Sequence, residues 1–97
     1  MHIISRKALT DFWKTHEIVK SALQAWAAEA ENADWKSPSE IKQRYPSGDV
    51  VGQNRFVFNI KGNEFRLVVK IHYNTGIIYI RFIGTHAEYD KINAEEI

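Results

Sequence analysis

The sequence predicts an α+β domain in which N-terminal helices pack on one face of a curled antiparallel β-sheet. Apolar residues recur at helical spacing as far as Pro46, and from Asp49 onward they recur at every second residue. The chain has 97 residues, of which 44% are hydrophobic, enough for one core but too few for two. We therefore expect a single domain over residues 1–97.

The N-terminal half predicts a short strand followed by three helices. Residues 2–5 predict the strand, residues 5–16 and 17–32 predict two helices with apolar stripes, and residues 37–45 predict a short third helix. Ser5 is the expected cap of the first helix. Ser37 and Glu40 have capping-box spacing at the start of the third helix, which Pro46 ends.

The C-terminal half predicts three strands joined by two tight turns. The strands cover residues 55–61, 64–73 and 77–83, and the turns contain the sequences KGN and NTG. A period of two places these apolar residues on the face that the helices cover: Phe56, Phe58, Ile60, Phe65, Leu67, Val69, Ile71, Ile78, Ile80 and Phe82. The second face of the sheet is expected to stay open.

Basic residues are concentrated in this predicted sheet, although the whole chain has a net charge of only +1. Between residues 53 and 86 the only acid is Glu64, and the basic residues are Arg55, Lys61, Arg66, Lys70 and Arg81. Arg66 and Lys70 should lie on the open face roughly 13 Å apart, with Arg81 on the neighbouring strand. This asymmetry predicts contact with phosphates, although a solvated strand face would have the same composition.

Most other kinds of site lack their motifs. The chain has no cysteine, glycine-rich phosphate loop or paired carboxylates, and its four histidines lack metal-ligand spacing. We therefore expect no metal and no cofactor. The sequence shows no secretory signal and no apolar run that could span a bilayer, so we expect a cytoplasmic protein without a membrane partner.

The segment FIGTHAEYDKI follows the last predicted strand and places polar side chains at the rim of the sheet. If it forms one helical turn, Thr85 and Glu88 make a capping box, and His86 and Tyr89 share a face. A capped C-terminal turn with a packed tyrosine would have the same sequence. We expect Asp90 at the surface, because a carboxylate beside a phosphate would repel it.

Cationic, imidazole and phenol groups around a groove fit one reaction well: RNA cleavage by attack of the ribose 2′-hydroxyl on its own phosphate. The substrate supplies the nucleophile, so the protein needs only a proton acceptor, a proton donor and cations, and no metal. His86 is expected to move a proton, because imidazole titrates near neutral pH. Tyr89 is expected to stack on a base or to donate a hydrogen bond.

The sequences FNIKGNEFRLVVKIHY and IYIRFIGTHAEYDKI resemble the HigB toxin family, within the RelE-like superfamily of toxin–antitoxin mRNA interferases. The resemblance covers essentially the whole chain, and its most specific parts are the step from Asn63 to Arg66 and the sequence THAEYD. It implies a RelE-like toxin domain that cleaves mRNA in the ribosomal A site. It also implies inhibition by a HigA-like helix-turn-helix antitoxin, through which alone the protein would contact DNA.

The same resemblance implies roles for individual residues. Arg66 and Arg81 match phosphate-contacting arginines of the superfamily, and Tyr89 lies where a C-terminal tyrosine often occurs. Lys70 and His86 match residues common in the HigB branch, and which group acts as the base stays open. The candidate catalytic residues are Arg66, Lys70, Arg81, His86 and Tyr89, and the candidate RNA-binding residues are Arg55, Lys61 and His72.

Two functions from different classes use this set of residues. One is an enzyme, an mRNA interferase that arrests translation. The other is a non-catalytic RNA- or protein-binding module that uses the same cationic sheet face. His86 and Tyr89 beside Arg81 would favour the enzyme, because binding without cleavage does not need them.

Overall fold

The chain forms short elements first and then a meander of three long strands. All residues from Met1 to Ile97 are described in a computed structural model. The elements are β1 (His2–Ile4), α1 (Arg6–Thr15), a 3₁₀ turn (Glu17–Val19), α2 (Lys20–Asn32), α3 (Pro38–Arg44), β2 (Asp49–Val51), β3 (Arg55–Ile60), β4 (Phe65–His72), β5 (Ile77–Thr85) and α4 (His86–Tyr89). Each of these helices is too short or too polar to cross a lipid bilayer.

The strands form one five-stranded sheet in the order β1-β5-β4-β3-β2. The pairs β2–β3, β3–β4 and β4–β5 are antiparallel. Strand β1 is parallel to β5, with His2 opposite Ile77. The α+β class is confirmed, but the sheet is mixed where the sequence predicted an antiparallel one. Strand β2 was not predicted; it has only three residues and pairs along the edge of the sheet with β3.

The helices cover one face of the sheet, as predicted. Leu9, Leu23, Trp26 and Ile41 come from three helices, are at most 2% exposed, and join a core cluster with the inward side chains of β3, β4 and β5. No polar or charged residue is buried as a whole. The ionisable groups therefore lie at the surface and at the rims of the sheet, where they can meet a substrate.

A bulge in β5 changes which side chains face the helices. Val69 pairs with Ile80 but the preceding Val68 pairs with Phe82, so Arg81 is an extra residue in β5. An extra residue shifts the alternation by one position. The prediction that Phe82 faces the helices is therefore wrong: its ring packs with Val68 on the opposite face.

The second face of the sheet is partly covered by the chain itself. After α4 the chain returns across β3 and β4, and Ile92, Ala94 and Ile97 join a small apolar cluster with Val57 and Val68. The expectation of a fully open face is therefore wrong. What stays uncovered lies mainly along β4 and β5, and we call it the open strip; its residues are Arg66, Lys70, His72, Tyr79 and Arg81.

The predicted helix caps differ in outcome. Ser5 precedes α1 with φ of 72° and makes no side-chain capping bond, so that prediction is wrong. At α3, Glu40 accepts hydrogen bonds from the Lys36 backbone N–H and the Ser37 hydroxyl. The Ser37 side chain, however, accepts no hydrogen bond from a backbone N–H of the helix. Only the third predicted cap, at α4, forms a complete capping box, and it lies at the candidate active site.

Candidate active site

Helix α4 is held at the end of β5 by reciprocal hydrogen bonds. The Glu88 backbone N–H donates to Thr85 Oγ1 at 3.2 Å, and the Thr85 N–H donates to Glu88 Oε1 at 2.7 Å. The His86 N–H also donates to the Glu64 carbonyl, just before β4, at 3.2 Å. The four-residue helix, too short to persist alone, is thus fixed over the sheet rim.

The capping box also makes α4 sensitive to acid. Hydrogen bonds from the Thr85 backbone and side chain hold the pKa of Glu88 below its ordinary value of 4.5. A carboxyl whose pKa falls on folding adds stability that is fully present above its unfolded pKa. That contribution is lost as the pH drops through the lower, folded value, so α4 should loosen only in acid.

Removing the cap should disorder the helical turn α4 and have little effect on the rest of the fold. We expect Thr85→Ala to destabilise the helix end by about 0.5–2 kcal/mol, the usual range for a lost N-cap. The rate of RNA cleavage should fall by a larger factor than this loss of stability alone would cause. The reason is that the positions of His86 and Tyr89 both depend on this turn. Urea unfolding and cleavage rates measure the two effects. Thr85→Ser keeps the acceptor oxygen and should resemble the wild type. Thr10→Ala, on α1, is the control. Equal loss in the serine variant would contradict the capping role.

Arg66 connects the sheet to α4. Its Nη2 lies 2.9 Å from His86 Nε2, and its guanidinium carbon lies 4.8 Å from the centre of the Tyr89 ring. The His86 and Tyr89 rings are 6.4 Å apart and meet edge to face. The Nε of Arg66 is buried and has no partner in the protein. One guanidinium therefore orders both side chains of the turn and keeps a donor unpaired.

The contact with Arg66 indicates where His86 carries its proton. A guanidinium can only donate hydrogen bonds, so His86 Nε2 must accept in this geometry. The ring proton is then on Nδ1, which lies 3.6 Å from Asp90 Oδ2. The imidazole side chain is 44% exposed, so a substrate at the rim of the sheet can reach the ring.

Phe82 and Gly84 form the floor beneath Tyr89. The Phe82 ring is 6.4 Å from the Tyr89 ring, and Gly84 lies two residues further along β5, opposite Arg66. A Cβ at Gly84 would come within 2.6 Å of the Phe82 ring and 3.1 Å of Glu88 Oε1. Glycine therefore lets the Phe82 ring lie close to the strand, where the bulge at Arg81 has placed it.

The remaining predicted site residues are not gathered at this point. Lys70 lies on the open strip opposite Tyr79, and Arg81 is exposed in the bulge without a hydrogen bond or ion pair. His72 lies at the far end of β4, and its ring is 5.1 Å from that of Tyr79. The side chain that contacts His86 and Tyr89 is thus Arg66. The roles of Lys70, Arg81 and His72 stay predictions.

Two of the candidate RNA-binding residues have other neighbours. Arg55 Nε donates to the main-chain oxygen of Ile97 at 2.7 Å, so the returning chain already occupies this guanidinium. Lys61 lies in the turn after β3 and lines a cleft on the helical side together with Trp26 and Arg44. Their RNA-binding roles also stay predictions, and neither residue lies on the open strip.

Asp90 and Phe82 belong to the site but were not assigned to it from the sequence. The four-residue spacing of His86 and Asp90 in a helical turn could have indicated their contact. Phe82 gave no such signal, because only the pairing of β4 with β5 reveals the bulge.

Comparison with known proteins shows the family to which the chain belongs. A model of the HigB toxin family, described as the RelE-like toxic component of a toxin–antitoxin system, matches residues 19–92. The chain belongs to the HigB toxin family. The family resemblance is therefore confirmed, and a HigB toxin has an antitoxin as its partner.

Full-length relatives carry the same family name. The chain is 34% identical to the mRNA interferase toxin HigB of Escherichia coli (strain K12) over 96 residues, which is 97% of this chain and 92% of that protein. The mRNA interferase HigB of Shigella flexneri matches equally well. The mRNA interferase HigB of Escherichia coli O6:H1 is less similar: it is 26% identical over 95% of this chain and 91% of its own length.

Proposed function

We propose that this HigB toxin is an mRNA interferase, an endoribonuclease that cleaves mRNA without a metal ion. The observation that carries the proposal is the contact of Arg66 with His86 and Tyr89, supported by the names of the relatives. A cation, an unprotonated imidazole nitrogen and an aromatic ring meet at the end of a cationic strip. A module that binds RNA without cutting it needs the cations but not the imidazole.

The proposed reaction begins with proton transfer to His86. Its Nε2 accepts the proton of the ribose 2′-hydroxyl, and the 2′-oxygen attacks the adjacent phosphorus. The bond from phosphorus to the 5′-oxygen breaks, and that oxygen takes up a proton from water, giving a 2′,3′-cyclic phosphate and a 5′-hydroxyl end; His86 later returns its proton to the solvent. The carboxylate of Asp90, 3.6 Å from Nδ1, stabilises by its charge the imidazolium that forms at His86.

The cations act on the phosphate as its charge develops. Arg66 is the nearest, and when the 2′-hydroxyl replaces it at His86 Nε2, its donors become free for the phosphate oxygens. Lys70 and Arg81 extend the positive charge along the open strip and hold the neighbouring phosphates. Tyr89 offers its ring to a base beside the cut, since its other face already rests on Arg66.

The proposed substrate is mRNA in the A site of a translating ribosome in the cytoplasm. The cationic open strip supports contact with a single RNA strand, and the ribosome would present a codon in a fixed orientation to it. The partner that neutralises the toxin is proposed to be a HigA-like helix-turn-helix protein. Contact with DNA would occur only through that antitoxin.

Induced expression without the antitoxin should stop translation and growth, because a cut codon cannot be translated. Purified protein with programmed ribosomes should give 2′,3′-cyclic phosphate and 5′-hydroxyl ends, and treating the protein alone with EDTA before it is added should not change the rate. Three outcomes would contradict the proposal: normal growth with folded protein present, cleavage products that carry a 5′-phosphate and no cyclic phosphate, or stable mRNA binding with no cleavage. The last of these would identify a binding module instead.

A further inference from the structure

A polar cleft lies at the end of the open strip away from α4. The turns that precede β3 and follow β4 enclose about 230 Å³, lined by Asn54, His72, Tyr73, Asn74 and Thr75. The one side-chain hydrogen bond among these residues runs from Thr75 Oγ1 to the His72 carbonyl at 3.5 Å. The amides of Asn54 and Asn74 and the His72 imidazole thus keep their donors and acceptors for a ligand. We call this the hairpin cleft.

The hairpin cleft has an aromatic edge as well as polar walls. The His72 ring lies 5.1 Å from the Tyr79 ring at an interplanar angle of 65°. Tyr79 is half-buried on the neighbouring strand, directly opposite Lys70. Flat rings next to unpaired amides are the combination that proteins use to stack an unpaired RNA base and bind its edge. No lysine or arginine lines the cleft, so a phosphate is not the group that it fits.

The cleft is in line with the proposed cleavage site. His72 is six residues from Arg66 along β4, or about 20 Å at the usual rise per residue, and lies on the same face. Lys70 lies between them on that face. An RNA strand whose phosphates contact Arg66 and Lys70 would therefore bring a nucleotide outside the cut dinucleotide to the hairpin cleft.

We propose that the hairpin cleft binds one nucleobase of the mRNA and thereby contributes to the choice of cleavage site. The His72 ring stacks on the base, the Asn54 and Asn74 amides bind its edge, and Tyr79 supports the His72 ring from the side. The proposal rests on the proposed function, since it names where a second part of the same substrate binds. It assigns Asn54, Asn74 and Tyr79 to substrate selection and not to the chemical step.

The test compares cleavage of mRNAs that differ at single nucleotides on either side of the cut. The wild type should discriminate at one position outside the cut dinucleotide, and the double variant His72→Ala, Asn74→Ala should lose that discrimination. Its rate on the best mRNA should fall about 5- to 150-fold, the range for loss of one stacked base. The matched control is His2→Ala, Gln24→Ala, in which the same side-chain types are removed from exposed positions on β1 and α2.

A second measurement separates this proposal from the proposed function. An RNA oligomer with 2′-deoxyribose at the cut cannot be cleaved, and its binding should shift the NMR signals of the Asn54 and Asn74 side-chain amides. If the wild type binds the oligomer at the cleft but cuts no mRNA, the cleft is confirmed as a base-binding site, whereas the proposed function and the role of the cleft in choosing a cleavage site both fail. If the wild type cuts mRNA and the double variant keeps the same site preference, only the cleft proposal is overturned.

Discussion

Replacing His86 with glutamine should lower the rate of mRNA cleavage about 10²- to 10⁴-fold, the usual contribution of a general base. Glutamine can still accept a hydrogen bond from Arg66, but its amide cannot take the proton of a 2′-hydroxyl. Binding to programmed ribosomes should stay close to that of the wild type. The measurement is a single-turnover cleavage rate on ribosomes that carry one defined codon.

The control for this variant is His2→Gln, because His2 is exposed on β1 and lies away from α4. Asp90→Asn adds a second comparison: if Asp90 orients His86, its loss should lower the rate less than the loss of His86. Cleavage by His86→Gln at the wild-type rate would sink the assignment of His86 as the base. The proton would then have to move to Lys70 or to water.

Replacing Arg66 with alanine should cost about 10²- to 10³-fold in cleavage rate, the scale for removal of one transition-state donor. The variant also loses the contact with the Tyr89 ring, a cation–π interaction of about 0.5–2 kcal/mol. A modest loss of stability should therefore accompany the loss of rate. Arg66→Lys should retain part of the activity, since it keeps the charge but not the forked donors.

Cleavage rates and urea unfolding distinguish the two roles of Arg66. Arg44→Ala is the matched control, because Arg44 binds Glu29 on the helical side and is far from the open strip in the sheet. If Arg66→Ala unfolds at a much lower urea concentration and Arg66→Lys restores full cleavage, Arg66 is structural. Its proposed contact with the phosphate would then be wrong.

Much of the candidate site could be predicted because its signals are local. The period of two in β4 is sufficient to place Arg66 and Lys70 on one face, away from the helices. The spacing of Thr85 and Glu88 is sufficient to predict a capped turn that holds His86 and Tyr89 on one side. Neither prediction needs to know which strands are neighbours.

What could not be predicted depends on contacts between distant parts of the chain. The bulge at Arg81 exists only in the pairing of β4 with β5, and it places Phe82 under Tyr89. The return of the chain over Val57 and Val68 depends on an apolar patch that three separate segments complete. Once an extra residue has shifted the alternation, the sequence pattern no longer tells which face of the sheet a given side chain occupies.

Four features follow from the amino-acid sequence alone: the α+β class, the cationic face of β4, the capped turn after β5 and the resemblance to HigB toxins. Each depends on residues that are near one another in the chain. The contact of Arg66 with His86 and Tyr89, and the extent of the uncovered strip along β4 and β5, follow from the tertiary structure alone. Strand register and the covering of a sheet face are set by long-range hydrogen bonds and packing, which no local pattern encodes.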